Sequence, residues 1–257
     1  MSEIAVYEIR KRVAYITINR PEKRNALNPE LVTGLQNCFD LAANDEAVKI
    51  IVLKANGNVF SAGADLEYLK QMQQFSYKDN LADSRRLATL LETIYTHPKI
   101  IIAEAAGSAI AGGCGLATVC DFTFAIPEAQ FGYTEVKIGF IPAIVMVFLL
   151  RKIGESRAKE LTLTGKLISA NEAKEIGLIH FVVAATEIEK AVTDFAEDLC
   201  KSASGESLKR TKQMIAQLWP DLQKALNYAA GLNAEMRSSE DCKKGISAFL
   251  NKEQVHW

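Results

Sequence analysis

Short runs rich in β-branched residues alternate in this chain with segments of helical spacing, and glycine-bearing turns join several of them. The candidate strands span residues 4–9, 13–18, 48–54, 99–103 and 121–125. Each of the last three follows a helical segment, and strands joined through helices need crossover connections that leave them parallel. The sequence therefore predicts an α/β fold with a largely parallel sheet.

The start of the first helix can be read from capping residues. Asn28 is a favoured N-cap residue, and Pro29 suits the first helical position. Apolar residues then recur at helical spacing, at Leu31, Leu35, Cys38 and Phe39.

The second half of the chain has a different character. From about residue 156, helical spacing dominates, over 170–175, 185–201, 207–218 and 222–250. We expect residues 1–195 to form the core and residues 196–257 a C-terminal helical region.

Charge and apolar patterning exclude several classes of protein. Thirty Lys and Arg against 31 Asp and Glu give a net charge of −1, which argues against nucleic acid or an anionic membrane as the main partner. The mixed-charge stretch 70–86 is typical of a solvated helix face. The apolar windows 100–120 and 140–150 are interrupted by Glu104 and Pro142, and neither provides the roughly 20 residues of a membrane span.

The five cysteines are an odd number without C-x-x-C spacing, which favours reduced thiols and a cytoplasmic protein. The histidines, His97, His180 and His256, lie far apart without metal-ligand spacing. We therefore expect packing or surface roles for them, and no metal site.

Three glycine-bearing segments are the strongest candidates for a functional site: F-S-A-G-A-D at 60–65, A-G-G-C-G-L-A at 111–117, and F-G-Y-T-E-V-K-I-G-F-I-P-A at 131–143. Glycine lets a ligand approach the backbone, and a loop that opens into a helix presents free N–H groups. Two such loops facing each other would form an oxyanion hole. The alternative is that these glycines serve only turns and packing.

Glu135 is the most informative carboxylate, because the apolar stretch 136–141 follows it directly. A carboxylate in apolar surroundings needs a partner or a function. The alternative is a glutamate at a helix start that interacts with the helix dipole. Glu104 is the competing buried carboxylate, and a structural ion pair would explain it equally well.

Together with N-R-P-E-K-R-N-A-L-N at 19–28 and G-I-S-A-F-L near the C-terminus, these segments resemble the crotonase family, also called the enoyl-CoA hydratase/isomerase family. The resemblance covers nearly the whole chain. It implies a ββα spiral core over 1–195, a trimerisation region over 196–257, and assembly as a homotrimer or a dimer of trimers. It also implies an acyl-CoA thioester substrate that reacts through an enolate, with no cofactor beyond the coenzyme A of the substrate.

The resemblance also implies roles for single residues. The N–H groups of Ala64 and Gly112 would hold the thioester oxygen, and Glu135 would be the catalytic acid and base. Residues at coenzyme A-binding positions are Arg24, Ala26, Ala62, Asp65, Leu66, Phe249 and Lys252, of which Phe249 and Lys252 would reach the coenzyme A of a neighbouring subunit. Tyr133 and Ala143 would line the acyl pocket.

One departure affects the expected reaction. Two-glutamate hydratases of the family carry their second glutamate where this chain has Gly115, and glycine cannot transfer a proton. Tyr133 and Glu104 are candidates to assist the proton transfer. If the acyl chain ends in a carboxylate, Lys137 or Arg85 is a candidate to bind it.

Three functions follow from the resemblance. G-x-G-L at 113–116 together with T-E-V-K-I-G-F-I-P-A resembles bacterial methylglutaconyl-CoA hydratases of leucine breakdown. The leading hypothesis is therefore an enoyl-CoA hydratase that acts on methylglutaconyl-CoA or a related branched or short enoyl-CoA. The first alternative is a Δ3,Δ2-enoyl-CoA isomerase that uses one glutamate. The second is a non-catalytic homologue that binds acyl-CoA or RNA.

Overall fold

Two sheets covered by helices make up the computed structural model, which describes residues 4–219, 221–255 and 257. The strands are β1 (Ala5–Arg10), β2 (Val13–Ile18), β3 (Ile50–Ala55), β4 (Val59–Ser61), β5 (Ile100–Ala105), β6 (Ser108–Ile110), β7 (Phe122–Ala125), β8 (Gln130–Gly132), β9 (Ile168–Ser169) and β10 (Phe181–Val182). The α-helices are α1 (Pro29–Asn44), α2 (Leu66–Met72), α3 (Tyr77–Thr96), α4 (Gly112–Val119), α5 (Ala143–Thr164), α6 (Ala170–Glu175), α7 (Ile188–Ser202), α8 (Gly205–Gln217), α9 (Leu222–Arg237) and α10 (Glu240–Asn251). Short 3-10 helices span Pro21–Lys23 and Glu135–Ile138.

The larger sheet has the strand order β1-β2-β3-β5-β7-β10. The β1–β2 pair is antiparallel, and the other pairs are parallel. Its central strands are buried on both faces, which explains their continuous apolar runs. The predicted α/β fold with a largely parallel sheet is confirmed, and all five predicted strands lie in this sheet.

The smaller sheet, in the order β4-β6-β8-β9, is a feature that the sequence did not predict. Its strands are three residues long or shorter, and β4, β6 and β8 lie directly before, or overlap the first residues of, the three glycine-bearing segments. Because β4, β6 and β8 are neighbours, the three glycine-bearing segments leave the same sheet side by side. This sheet therefore brings the candidate site together.

The first helix starts as its capping residues predict. The side chain of Asn28 accepts a hydrogen bond from Leu31 N–H at 2.9 Å, and Pro29 opens the helix. The predicted stripe is buried, because Leu31, Leu35 and Phe39 have no exposed surface.

The C-terminal helical region differs from the prediction in one respect. The stretch 222–250 is two helices, because the side chain of Ser239 accepts a hydrogen bond from Cys242 N–H and starts α10. Helix α9 packs against α3 and α5, and α10 packs against α2. None of the helices that the structure describes is long and apolar enough to cross a bilayer.

Two histidines have packing roles. His97 is buried, its Nε2 lies 3.0 Å from the Phe39 carbonyl oxygen, and burial lowers its pKa to about 4. His180 accepts a hydrogen bond from Thr123 N–H through Nδ1, and burial likewise lowers its pKa to about 4. Both rings are neutral at pH 7. His256 lies outside the described residues.

Candidate active site

A large cavity of about 1190 Å³ lies beside the smaller sheet. Its wall is built by the loop that precedes α1, by the glycine-bearing segments, and by α2, α3, α5, α9 and α10. The predicted site residues on this wall are Arg24, Ala26, Ala62, Ala64, Asp65, Leu66, Gly112, Glu135, Ala143 and Phe249.

Ala64 keeps its backbone N–H free because of the way its neighbours bond. Leu27 pairs with Ala64 in an isolated parallel bridge. Leu27 N–H donates to the Gly63 carbonyl at 2.7 Å, and its carbonyl accepts from Asp65 N–H at 2.9 Å. These bonds use the residues on either side of Ala64, so the N–H of Ala64 itself points away from Leu27.

Gly112 presents a second free N–H beside the first. It is the first residue of α4, and a first-turn N–H has no acceptor inside its own helix. The two turns are in close contact, since a Cβ built on Gly63 would lie 3.0 Å from Ala111 Cβ and 3.9 Å from Gly112 N. Within the described part of the chain, neither Ala64 N–H nor Gly112 N–H has a backbone acceptor outside regular helices and strands. The turns that carry these two N–H groups are therefore adjacent.

Backbone strain is present where α4 begins. Ala111 has φ 51° and ψ −125°, a conformation that L-residues rarely adopt. Its N–H donates to the Gly132 carbonyl at 2.8 Å, which ties this turn to β8. The strained conformation is therefore held by the smaller sheet.

Glu135 opens the 3-10 helix after β8 and lies on the cavity wall with 8% of its surface exposed. Its Oε2 is buried and has no hydrogen-bond partner among the described residues. Burial raises the pKa of this carboxyl to about 7. Glu135 can therefore take up and release a proton near neutral pH.

The position of the missing second glutamate is filled by an apolar side chain. A Cβ on Gly115 would lie 2.3 Å from Cγ1 of Val145, a buried residue in the first turn of α5. A side chain at position 115 therefore cannot enter unless Val145 moves. Val145 also lines the cavity, so this side of the site is apolar.

Asp65 lies on the cavity wall, but its carboxylate is already occupied. Its Oδ2 accepts from Arg20 at 2.9 Å, and its Oδ1 accepts from Glu67 N–H at 2.9 Å to cap α2. Arg20, which the sequence analysis did not single out, also donates to the Ala26 carbonyl at 2.6 Å. Asp65 and Arg20 thus hold the shape of the predicted coenzyme A-binding loop.

Two predicted site residues do not belong to the cavity wall as the structure describes it. Tyr133, predicted for the acyl pocket, is fully buried, with its hydroxyl 2.6 Å from Thr118 Oγ1. Lys252 caps the C-terminal end of α10 in a left-handed conformation. Phe249 lines the cavity of its own chain and is half exposed.

The other candidate side chains lie outside the cavity wall or at its edge. Glu104 lies in β5, away from the cavity wall, with Oε1 3.8 Å from Lys54 Nζ, as a structural ion pair requires. Arg85 is exposed and outside the wall, and Lys137 is exposed at its edge. The wall contains instead Tyr68, Asp83, Asn233 and Arg237, which the sequence analysis did not name as a group. Tyr68 lies on α2, Asp83 on α3, and Asn233 and Arg237 on α9, so no local pattern connects the three helices.

Comparisons with known proteins identify the family of this chain. The family described as "Enoyl-CoA hydratase/isomerase" matches residues 8–257. A Thermus thermophilus protein named "Putative enoyl-CoA hydratase" is 40% identical over 241 residues, with 93% of this chain and 95% of that protein covered. The 2,3-dehydroadipyl-CoA hydratase of Escherichia coli is 34% identical over 254 residues, with 98% and 97% covered.

A solved structure shows the same fold. An enoyl-CoA hydratase from Mycobacterium avium superposes with a TM-score of 0.89 at 30% identity, with 100% of both chains covered. A family match over nearly the whole chain, relatives above 30% identity and a shared fold agree with one another. The chain therefore belongs to the enoyl-CoA hydratase/isomerase family, the crotonase family, and is an enzyme of that family.

Proposed function

We propose that this enzyme adds water across the 2,3 double bond of an enoyl-CoA. The proposal rests on one observation: two free backbone amides and one unpartnered carboxylate lie on the wall of the same cavity. The amides are those of Ala64 and Gly112, and the carboxylate is Glu135. They supply an anion-binding position and a proton acceptor.

The amides act on charge that appears only during the reaction. Attack of water at the β-carbon moves an electron pair to the thioester oxygen and forms an enolate. Donors aimed at that oxygen stabilise the enolate more than the ground-state carbonyl, and loss of one such donor typically costs about 2.7–4 kcal/mol of barrier.

Glu135 takes part in both proton transfers of the addition. Its carboxylate removes a proton from water while the oxygen bonds to the β-carbon. The protonated acid, or a water that it orders, then returns a proton to the α-carbon as the enolate collapses. A pKa of about 7 suits this exchange, because both protonation states are accessible at neutral pH.

The substrate belongs to the short or branched enoyl-CoA esters, with methylglutaconyl-CoA as the specific candidate. The Escherichia coli relative is named for 2,3-dehydroadipyl-CoA, whose acyl chain also ends in a carboxylate. Coenzyme A enters as part of the substrate, and we propose no further cofactor.

One observation favours a second candidate, the Δ3,Δ2-enoyl-CoA isomerase. Val145 occupies the space beside Gly115, so the acyl chain faces an apolar side chain where a second carboxylate would otherwise stand. Glu135 alone could then carry a proton between two carbons of the chain without water.

The two reactions separate by substrate and product. Hydration of crotonyl-CoA should remove the absorbance of the conjugated thioester, whereas isomerisation of a 3-enoyl-CoA should create it. Glu135→Gln should abolish turnover and retain acyl-CoA binding, and Glu104→Gln provides a buried-carboxylate control outside the cavity. Wild-type turnover in Glu135→Gln would remove this residue from the mechanism. Binding without turnover of either ester by the wild type would favour the non-catalytic homologue.

We also propose that the enzyme assembles as a homotrimer or a dimer of trimers, with residues 196–257 forming much of the contact. Support comes from large apolar side chains of this region that are exposed in the single chain, among them Met214, Ile215, Leu218 and Tyr228. Light-scattering mass should give three or six chains, and a monomer would refute the proposal.

A further inference from the structure

A buried ion cluster forms part of the cavity wall on α3 and α9. Arg237 Nη1 donates to Asp83 Oδ2 at 2.7 Å, and Arg86 Nη2 donates to Asp83 Oδ1 at 3.0 Å. The side chains of Asp83 and Arg237 are 11% and 7% exposed, and both residues line the cavity. None of the predicted coenzyme A-binding residues belongs to α3 or α9.

The carboxyl group of this cluster is ionised. Burial raises the pKa of the Asp83 carboxyl, but Arg237, Tyr68 and Arg86 outweigh burial and the net pKa lies below the ordinary value. Asp83 is therefore a carboxylate at neutral pH. Arg86 shares this carboxylate, but its side chain is 52% exposed and lies outside the cavity wall, so the buried part of the cluster is the Asp83–Arg237 pair.

Two polar atoms on this wall lack partners. Arg237 Nε is buried without a hydrogen-bond partner among the residues that the structure describes, and the Tyr68 hydroxyl, buried beside Asp83, makes no hydrogen bond of regular geometry with them. Buried donors without acceptors are rare in native proteins because each costs free energy. In contrast, the Asn233 side-chain oxygen on the same wall accepts from Ser84 Oγ at 2.9 Å. The unpartnered donors therefore belong to Arg237 and Tyr68.

The apolar part of the wall fixes where such a ligand group would lie. Phe140 lines the cavity, and the Arg237 guanidinium carbon lies 5.9 Å from the centre of its ring. Leu69, Met72 and Leu87 also line the cavity. A chain of methylene groups could pack on these side chains and end at Arg237.

We propose that Arg237 and Tyr68 bind a carboxylate at the distal end of the acyl chain, so that the substrates are ω-carboxy enoyl-CoA esters. This inference rests on the proposed action on acyl-CoA thioesters. A carboxylate supplies acceptors for these two buried donors, whereas a methyl end would leave both without an acceptor. The residues are different from Lys137 and Arg85, which the sequence analysis considered for this role.

Binding of two saturated thioesters tests the inference without requiring turnover. Adipoyl-CoA and hexanoyl-CoA have six-carbon acyl chains and differ in the terminal carboxylate. Calorimetric titration of the full chain should show adipoyl-CoA binding on the order of tenfold more tightly, as a charged hydrogen bond predicts. Equal affinities, or tighter binding of hexanoyl-CoA, would overturn the inference.

Two variants assign the preference to residues. Tyr68→Phe removes the hydroxyl beside Asp83 and keeps the ring, and Arg237→Lys keeps a positive charge beside Asp83 while removing the guanidinium fork. Each should reduce the preference for adipoyl-CoA several-fold and leave hexanoyl-CoA affinity unchanged, whereas Arg85→Ala, on the exposed side of α3, should preserve both affinities. An unchanged preference in both variants, or equal loss of both thioesters, would refute the assignment.

Hydration of crotonyl-CoA, measured in parallel, separates this inference from the proposed function. Crotonyl-CoA turnover without a preference for adipoyl-CoA would remove the distal carboxylate site alone. A preference for adipoyl-CoA without turnover of any enoyl-CoA would support the site and remove the hydratase.

Discussion

Replacement of Glu135 by glutamine should stabilise the folded protein above neutral pH while removing its activity. In the wild type, the buried carboxyl has a pKa of about 7 because burial disfavours its charge, whereas the ordinary value is 4.5. An unfolded chain returns the carboxyl to water, where it ionises readily. Glutamine has nearly the same shape and carries no charge at any of these pH values.

The direction and size of the effect follow from the two pKa values. Folding raises the pKa of Glu135. The wild type therefore has its full free energy of unfolding below pH 4.5 and loses part of it progressively as the pH rises to about 7. At about 1.4 kcal/mol for each pH unit, the total loss is about 3 kcal/mol. Glu135→Gln should escape this loss.

Urea unfolding at pH 5 and pH 8 provides the assay. The gain in free energy of unfolding from Glu135→Gln should be small at pH 5 and approach about 3 kcal/mol at pH 8. Glu128→Gln, at an exposed position, should follow the wild type at both pH values. A Glu135→Gln variant with the pH dependence of the wild type would refute the reasoning, because it would mean that Glu135 ionises equally well in both states.

Three further outcomes are expected. The kcat/KM of hydration should rise with pH and level off above about 7, because Glu135 needs its carboxylate form to accept a proton; a profile that is flat through this range would contradict that role. Gly115→Ala should lower the free energy of unfolding by about 1–3 kcal/mol, because its Cβ would meet Val145 Cγ1 at 2.3 Å. Val145→Ala in the same chain should recover part of this loss in urea unfolding, and strictly additive losses would argue against the contact. Ala111→Gly should raise the thermal midpoint by relieving a φ of 51°, with a gain on the order of 1 kcal/mol, whereas a lower midpoint would show that this turn is not strained.

The larger sheet could be predicted from sequence because local and tertiary preferences agree there. Strands such as β3 and β5 are short, β-branched and bounded by polar residues, and they are buried on both faces. The same agreement holds for α1, where Asn28 and Pro29 mark the start of an apolar stripe. At these positions the local pattern alone identified the element.

The smaller sheet could not be predicted, because its strands are defined by their neighbours. Val59–Ser61 and Ser108–Ile110 are too short for a period to be visible, and they became strands only because each pairs with the next. The sequence nevertheless located the three segments through their glycines and Glu135. What it missed was their adjacency in one sheet.

The polar residues of the cavity wall could not be predicted for the same reason, because they come from segments that are distant in sequence. Tyr68, Asp83 and Arg237 lie on α2, α3 and α9, and only the packing of α9 on α3 brings Arg237 to Asp83. Similarly, the sequence showed at Gly115 that the second carboxylate is absent. It did not show that Val145 fills that space, because this depends on where α5 begins. Both features depend on contacts between segments that are distant in sequence.

The position of a bound thioester oxygen tests the central claim most directly. A crystal structure of the protein with a saturated acyl-CoA should place that oxygen about 2.7–3.1 Å from the backbone nitrogens of both Ala64 and Gly112. The Glu135 carboxylate should face the α- and β-carbons of the same acyl chain. A thioester oxygen bound to other groups, with either amide directed elsewhere, would contradict the account.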